Sequence, residues 1–124
     1  MKKVACLAVL VAILPAAAWA DCVYPKKPAR APDGARAPRA EMITAKKAVD
    51  QYQADVNAYL SCLKSEHEAA MAKLPAGTSD DDKKKMVARW EKKNDAAVDE
   101  AQEVADTFNE QLRACKARPD GCSK

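Results

Sequence analysis

The chain is 124 residues long and 31% charged, with a formal net charge of +3. That charge falls to +1 if the first twenty residues are removed, because Lys2 and Lys3 lie there. A chain of this length forms one small domain. Its near-neutral charge argues against nucleic-acid binding and against electrostatic attraction to an anionic membrane.

Residues 1–20 have the pattern of a secretory signal peptide. Lys2 and Lys3 precede an apolar run over residues 4–14, and an A-x-A cleavage site ends at Ala20. This run is much shorter than the roughly 20 residues that a membrane-spanning helix needs. The pattern predicts cleavage after Ala20, a periplasmic or secreted mature chain, and no stable membrane insertion after cleavage.

Four cysteines remain in the mature chain: Cys22, Cys62, Cys115 and Cys122. An even number of cysteines in a small exported domain favours disulfide bonds. The rival interpretation is a metal site. No zinc-finger spacing is present, and His67 is the single histidine. We therefore expect two disulfides and neither a metal nor another cofactor.

Residues 21–37 predict an extended arm. Prolines recur there at positions 25, 28 and 32, and proline at this density prevents a regular helix and favours polyproline-like backbone. Pro32-Asp33-Gly34 is a turn signal. The alternative is a solvated, partly disordered leader, against which Cys22 and the neighbouring Val23 and Tyr24 argue.

Two long amphipathic helices are predicted after the arm, over about 38–74 and 79–117. In both segments apolar residues recur at steps of three and four, which is typical of a helix that buries one stripe. The stripe residues are Met42, Ala45, Val49, Tyr52, Val56, Tyr59 and Leu63 in the first helix, and Val87, Trp90, Ala97, Ala101, Val104, Phe108, Leu112 and Cys115 in the second.

The break between the helices contains Pro75 and Gly77, and Ser79 can cap the second helix. Two helices of similar length with a short connection form an antiparallel hairpin. We therefore predict an all-α, coiled-coil-like, disulfide-stapled two-helix hairpin over residues 38–118. The C-terminal tail would cover residues 119–124.

The hairpin restricts the disulfide pairing. With both helices continuous, Cys62 and Cys115 lie ~35 Å apart along the axis, whereas a disulfide needs Cα atoms within ~7 Å. Cys122 follows Cys115 closely and cannot reach Cys62 either. Cys22 remains as the intramolecular partner of Cys62, provided that the arm folds back along the hairpin as a third, non-helical layer.

Cys115 and Cys122 are then left for each other, with a turn at residues 119–121 between them. The alternative is an intermolecular Cys62–Cys62 bond with Cys22 tied to the C-terminal pair, which strands one cysteine.

A folded-back arm would place Val23 and Tyr24 near Tyr59 and Leu63. Its basic residues would lie beside the acidic stretch of the second helix, residues 95–110. That stretch could also collect divalent cations weakly, although such a run is more often a solvated face.

The motifs "PDGARA", "YLSCL" and "AAVDEAQEVADTFNEQLRACKAR" resemble those of a family of small exported, periplasmic proteins of proteobacteria with an early cysteine. The resemblance extends from Cys22 to about Arg118. It implies an envelope location and a Cys22–Cys62 pair, and no catalytic residues, because no activity is assigned to that family.

No catalytic constellation is present in the sequence. Glu66, His67 and Glu68 are adjacent, and adjacent residues on a helix do not face one another. A C-x-x-C redox motif is also absent. We therefore expect that the protein is not an enzyme.

The large aromatic residues of the stripes, Tyr52, Tyr59, Trp90 and Phe108, form a possible interaction surface, because a two-helix seam covers them incompletely. The alternative, which we prefer for the stripe residues, is that they are simply core, with other apolar surface left exposed. We accordingly predict a non-enzymatic binding module of the cell envelope that recognises another protein or a second copy of itself. The alternatives are a structural spacer and a chaperone-like binder of unfolded proteins.

Overall fold

The computed structural model describes residues 21–123, which form two α-helices and no strand. Helix α1 spans Arg39–Ala72 and helix α2 spans Asp80–Lys116, and they pack together antiparallel. The predicted all-α hairpin is confirmed, with each helix end within two residues of its predicted position. The predicted signal peptide, residues 1–20, lies outside the described residues. Within residues 21–123, no helix is both long and apolar enough to cross a membrane.

Local chemistry sets where each helix begins. Pro38 has extended backbone, with ψ at 153°, so α1 starts at the next residue. At α2 the Ser79 hydroxyl accepts a hydrogen bond from the Asp82 backbone N–H at 3.1 Å, which satisfies one of the unpaired donors of the first turn. Three aspartates occupy that first turn, where the helix dipole favours negative charge.

The hydrophobic core follows the two predicted stripes. Tyr52 and Cys115 are the largest side chains that are completely covered. Burial of such apolar surface stabilises the fold by about 25 cal/mol per Å². The buried core consists of Ala37, Met42, Val49, Tyr52, Val56, Tyr59, Leu63, Ala97, Val104, Phe108 and Cys115.

The arm, residues 21–38, lies along the hairpin as a third layer, as predicted. Cys22 is bonded to Cys62, with a Cα–Cα distance of 5.7 Å. The Tyr24 ring meets the Tyr59 ring edge to face, with centroids 5.1 Å apart. The prediction for Val23 is wrong: its side chain is 84% exposed. Successive residues of an extended segment point to opposite sides, so packing Tyr24 against the helices turns Val23 to solvent.

Charge complementarity also holds the arm. Lys27 Nζ lies 3.2 Å from a carboxylate oxygen of Glu103 and 3.5 Å from one of Glu100. The Tyr24 hydroxyl donates a hydrogen bond to Glu100, and this bond is the main cause that raises the pKa of Tyr24 well above its ordinary value. Among the described residues, no ion pair joins α1 to α2. The acidic half of α2 is instead met by the arm.

The C-terminal turn closes the open end of the hairpin. Cys115 is bonded to Cys122, with a Cα–Cα distance of 5.0 Å. Arg118 Nη1 donates to the Ala37 carbonyl oxygen at 2.6 Å, and Nε and Nη2 of the same side chain donate to the Asp120 carboxylate at 2.9 and 2.7 Å. The Arg118 side chain thus connects the C-terminal turn to the end of the arm.

The ion pair of Asp120 should make the stability of the fold sensitive to acid. Its pKa is lowered to about 2, chiefly by the hydrogen bonds from Arg118. In the unfolded chain an aspartate titrates near ~3.9, so the unfolded state binds the proton first as the pH falls. The stability from this pair is therefore complete above about pH 5 and is lost as the pH falls towards 2. We expect Asp120→Asn to lower stability at pH 7 and to flatten this acid-induced loss in urea unfolding.

The matched control is Asp99→Asn. It removes an exposed carboxylate of α2 that makes no ion pair within residues 21–123. An unchanged acid slope in Asp120→Asn would contradict the assignment.

Candidate functional site

The buried core occupies only part of the hairpin. Each core residue lies at or before Leu63 on the N-terminal side, or at or after Ala97 on α2. The part between them, residues 64–96, contains no buried side chain. We call it the tip half. Its helices pack on each other, but no other segment of residues 21–123 covers their seam.

The arm explains why coverage ends there. Cys22 is tied to Cys62, so the described arm begins at that level and runs towards the open end. On α2 the arm meets Glu100 and Glu103. Lys93 and Met86 precede Glu100 by whole heptads and therefore lie on the same face of α2. The seam under the arm thus continues uncovered into the tip half.

An open groove of about 320 Å³ lies in this uncovered seam, and we call it the tip groove. Four of its lining residues are apolar, and four are charged or titratable. The lining residues are Leu63, Glu66, His67 and Ala70 of α1, and Met86, Arg89, Trp90 and Lys93 of α2.

Trp90 and His67 form the centre of the tip groove. Their rings stack with centroids 5.1 Å apart and planes inclined by 20°. The indole Nε1 of Trp90 is covered but has no hydrogen-bond partner among the described residues. Buried polar groups normally have a hydrogen-bond partner. Trp90 therefore marks a place where the hairpin leaves a covered donor without one.

The charges of the groove are also unpaired. Arg89 and Lys93 are exposed on the α2 wall, and Glu66 lies on the α1 wall. None of the three takes part in an ion pair or side-chain hydrogen bond within residues 21–123. By contrast, Lys83 and Lys85 on the same helix pair with Asp80 and Asp82 at 3.4 and 3.6 Å. Two cations and an apolar floor are therefore available to a partner.

A larger groove of about 400 Å³ lies between the arm and α2. Lys27 and Glu103 line it from opposite sides and pair with each other. The arm forms one wall of this groove, and its one lysine there already has a carboxylate partner. We therefore take the tip groove as the candidate site.

The four aromatic residues of the predicted interaction surface lie in two different settings, and their role in binding stays a prediction. Tyr52, Tyr59 and Phe108 are buried in the core, because the arm and both helices enclose them. The Tyr52 hydroxyl lacks a partner among the described residues, and burial is the chief cause that raises its pKa. Trp90 is the member of this set that lines the tip groove.

The sequence contained a signal for the missed residues. In an antiparallel hairpin, residues at the same level have numbers with a constant sum. The residue numbers of Leu63 and Lys93 have the same sum as those of Ala70 and Met86. This sum is close to the one that the position of the loop predicts for residues that face each other. Once the arm is anchored at Cys62, every level beyond it is uncovered.

The predicted weak cation binding by residues 95–110 stays a prediction. Glu100 and Glu103 of that stretch are engaged by Lys27. Within residues 21–123, no three His, Cys, Asp or Glu side chains are grouped so that they could hold a metal ion.

The predicted resemblance to an exported proteobacterial family stays a prediction as well. Comparison of the chain with protein-family models, with curated proteins and with solved structures found no match.

Proposed function

We propose that this protein is a non-enzymatic interaction module of the cell envelope that binds a partner protein in its tip groove. The observation that carries this proposal is the uncovered tip half, whose seam holds Trp90 and His67 at the surface. An apolar floor with a polar rim is the usual composition of a protein-binding patch.

The rest of the molecule supports a rigid platform for that groove. The two disulfides fix the arm and the C-terminal turn on the hairpin, away from the tip. The described residues therefore provide a stapled base and an uncovered tip half. A partner that fills the groove would bury apolar surface without reorganising the core, which favours affinity.

Export to an oxidising compartment accompanies this function. Residues 1–20 have the signal-peptide pattern, and both cysteine pairs are bonded in the folded chain. Disulfides persist in secreted and periplasmic proteins and are rare in the cytosol.

Site-specific photocrosslinking in living cells tests the proposal. A photoreactive phenylalanine analogue placed at Ala70, in the groove, is expected to give one discrete protein adduct. The matched control places it at Ala54, an exposed alanine of α1 beside the covered half. No adduct from Ala70, or the same adducts from both positions, would refute the groove as the binding site.

The same experiment separates the alternatives. A chaperone-like binder of unfolded proteins should give a broad ladder of adducts from Ala70 and should suppress aggregation of a purified client. A structural spacer should give none at Ala70.

A further inference from the structure

The arm shows which kind of segment this seam accepts. It lies extended on the hairpin, places one aromatic ring against Tyr59, and directs Lys27 to Glu100 and Glu103. An apolar anchor and a charge opposite to that of α2 are thus combined in one short stretch of chain. This is a general mode of groove recognition by peptides.

The charge of α2 reverses beyond the end of the arm. At the arm the helix presents Glu100 and Glu103, whereas in the tip groove it presents Arg89 and Lys93. Glu66 is the one carboxylate that lines the tip groove, and it lies on the opposite wall, on α1. A segment that continues the course of the arm therefore meets cations along α2.

We propose that the tip groove binds an acidic segment of a partner protein that also carries apolar side chains, an inference that rests on the proposed binding function. Its carboxylates pair with Arg89 and Lys93 on the α2 wall. Its apolar side chains cover Trp90 and the neighbouring floor.

A second copy of the chain fits this groove less well. The acidic residues nearest to its own tip are Asp80 to Asp82, and Asp80 and Asp82 already pair with lysines of their own helix. Two facing tips would also bring Arg89 and Lys93 of both copies together, in excess over the Glu66 carboxylates, and an excess of like charge opposes association.

The test selects peptides from a random library of 12-residue sequences displayed on phage. The target is the chain that begins at Asp21, which contains every residue of the described fold. We expect the selected peptides to be enriched in Asp and Glu together with apolar residues. Trp90 is the single tryptophan of this chain, so its fluorescence reports directly whether a synthetic selected peptide enters the groove.

Charge-reversal variants test the recognition. Arg89→Glu combined with Lys93→Glu is expected to lower the affinity for the selected peptide on the order of tenfold. Higher salt should also lower the affinity of the unmodified protein for this peptide. Lys84→Glu combined with Lys92→Glu is the matched control: it makes the same change in net charge on exposed positions of α2 that do not line the groove. The control should bind as the unmodified chain does, with circular dichroism verifying that both variants fold.

The outcomes separate the inference from the proposed function. Neutral or basic peptides that shift Trp90 fluorescence would refute acidic recognition and leave the groove as a binding site. Equal binding by both double variants would also refute it. A concentration-dependent dimer in sedimentation that Ala70→Arg abolishes would replace the acidic segment with a second copy. Failure of every peptide to reach Trp90, together with no adduct from Ala70, would overturn both proposals.

Discussion

Replacing Cys22 and Cys62 together with serine is expected to lower the free energy of unfolding by about 3–4 kcal/mol, because the bond closes a long loop in the unfolded chain. The bonded cysteines are 40 residues apart in sequence. Without the bond, the unfolded chain regains the conformational freedom that the loop removes. Urea unfolding followed by circular dichroism measures the change.

The same variant should release the arm while both helices persist. Without the disulfide, the first residues of the arm are held by the Tyr24–Tyr59 contact and by Lys27 with its two carboxylates. Exposed ion pairs contribute only about 0–1 kcal/mol each. We therefore expect trypsin to cleave after Lys26 faster in this variant, with native helical content. An unchanged cleavage rate would contradict the role of the bond as the anchor of the arm.

The second disulfide gives an internal control. Cys115 and Cys122 are only 7 residues apart, so replacing both with serine should lower stability less, by about 2 kcal/mol. It should also leave cleavage at Lys26 slow, because Cys22 still ties the arm to Cys62. Equal effects of the two double variants would show that loop length is not what determines the loss.

Much of the architecture could be predicted because it follows from the lengths of the two helices and the spacing of their apolar residues. The apolar stripes define two helices, and continuous helices keep Cys62 too far from Cys115 to bond. The course of the arm follows from that single distance, without any knowledge of side-chain contacts. The two observed disulfides agree with the predicted pairing.

The side-chain contacts of the arm could not be predicted in the same way. Arg118 donates to the Ala37 carbonyl across the open end, a contact between segments that no periodicity relates. The exposure of Val23 depends on the rotation of an extended segment about its own axis. The distance that the chain can span between cysteines determines where the arm is anchored. It does not determine which face of the arm is buried.

Trp90 is the one residue of the tip groove that belongs to the predicted interaction surface, for a related reason. The largest stripe residues are aromatic, and size does not distinguish a covered ring from an uncovered one. Tyr52 and Phe108 lie within the part of the seam that the arm covers, whereas Trp90 lies beyond its end. The site is therefore defined by where the third layer stops, and Arg89 and Lys93 become relevant only from that boundary.

Gly34→Ala is expected to destabilise the protein by about 3 kcal/mol, near the upper end for overpacking a tight contact. A β-carbon at this position would lie 1.8 Å from the Gln111 carbonyl oxygen and 3.0 Å from the Cys115 backbone nitrogen. Both are backbone atoms of α2, so no side-chain rotation relieves the clash. The turn must lift away, and the 2.9 Å hydrogen bond from the Gly34 N–H to the Gln111 side-chain oxygen is lost. Urea unfolding measures the loss.

Gly77→Ala is the control variant, because it introduces backbone strain without a close contact. Gly77 lies in the loop between the helices with φ at +88° and no atom within 4 Å of an added β-carbon. Its substitution strains the backbone alone, which costs about 1–2 kcal/mol. A smaller effect at Gly34 than at Gly77 would contradict the assigned contact.

A double-mutant cycle with Arg118→Ala locates the damage caused by Gly34→Ala. In the native fold Arg118 donates to the carbonyl oxygens of Ala37 and Gly34, at 2.6 and 3.5 Å. If the alanine at position 34 lifts the turn, these bonds are already weakened, and Arg118→Ala should then cost less than it does alone. Additive losses would place the effect of Gly34→Ala outside the turn. Strong coupling would show that Gly34 lets the arm approach α2 closely enough for Arg118 to hold it there.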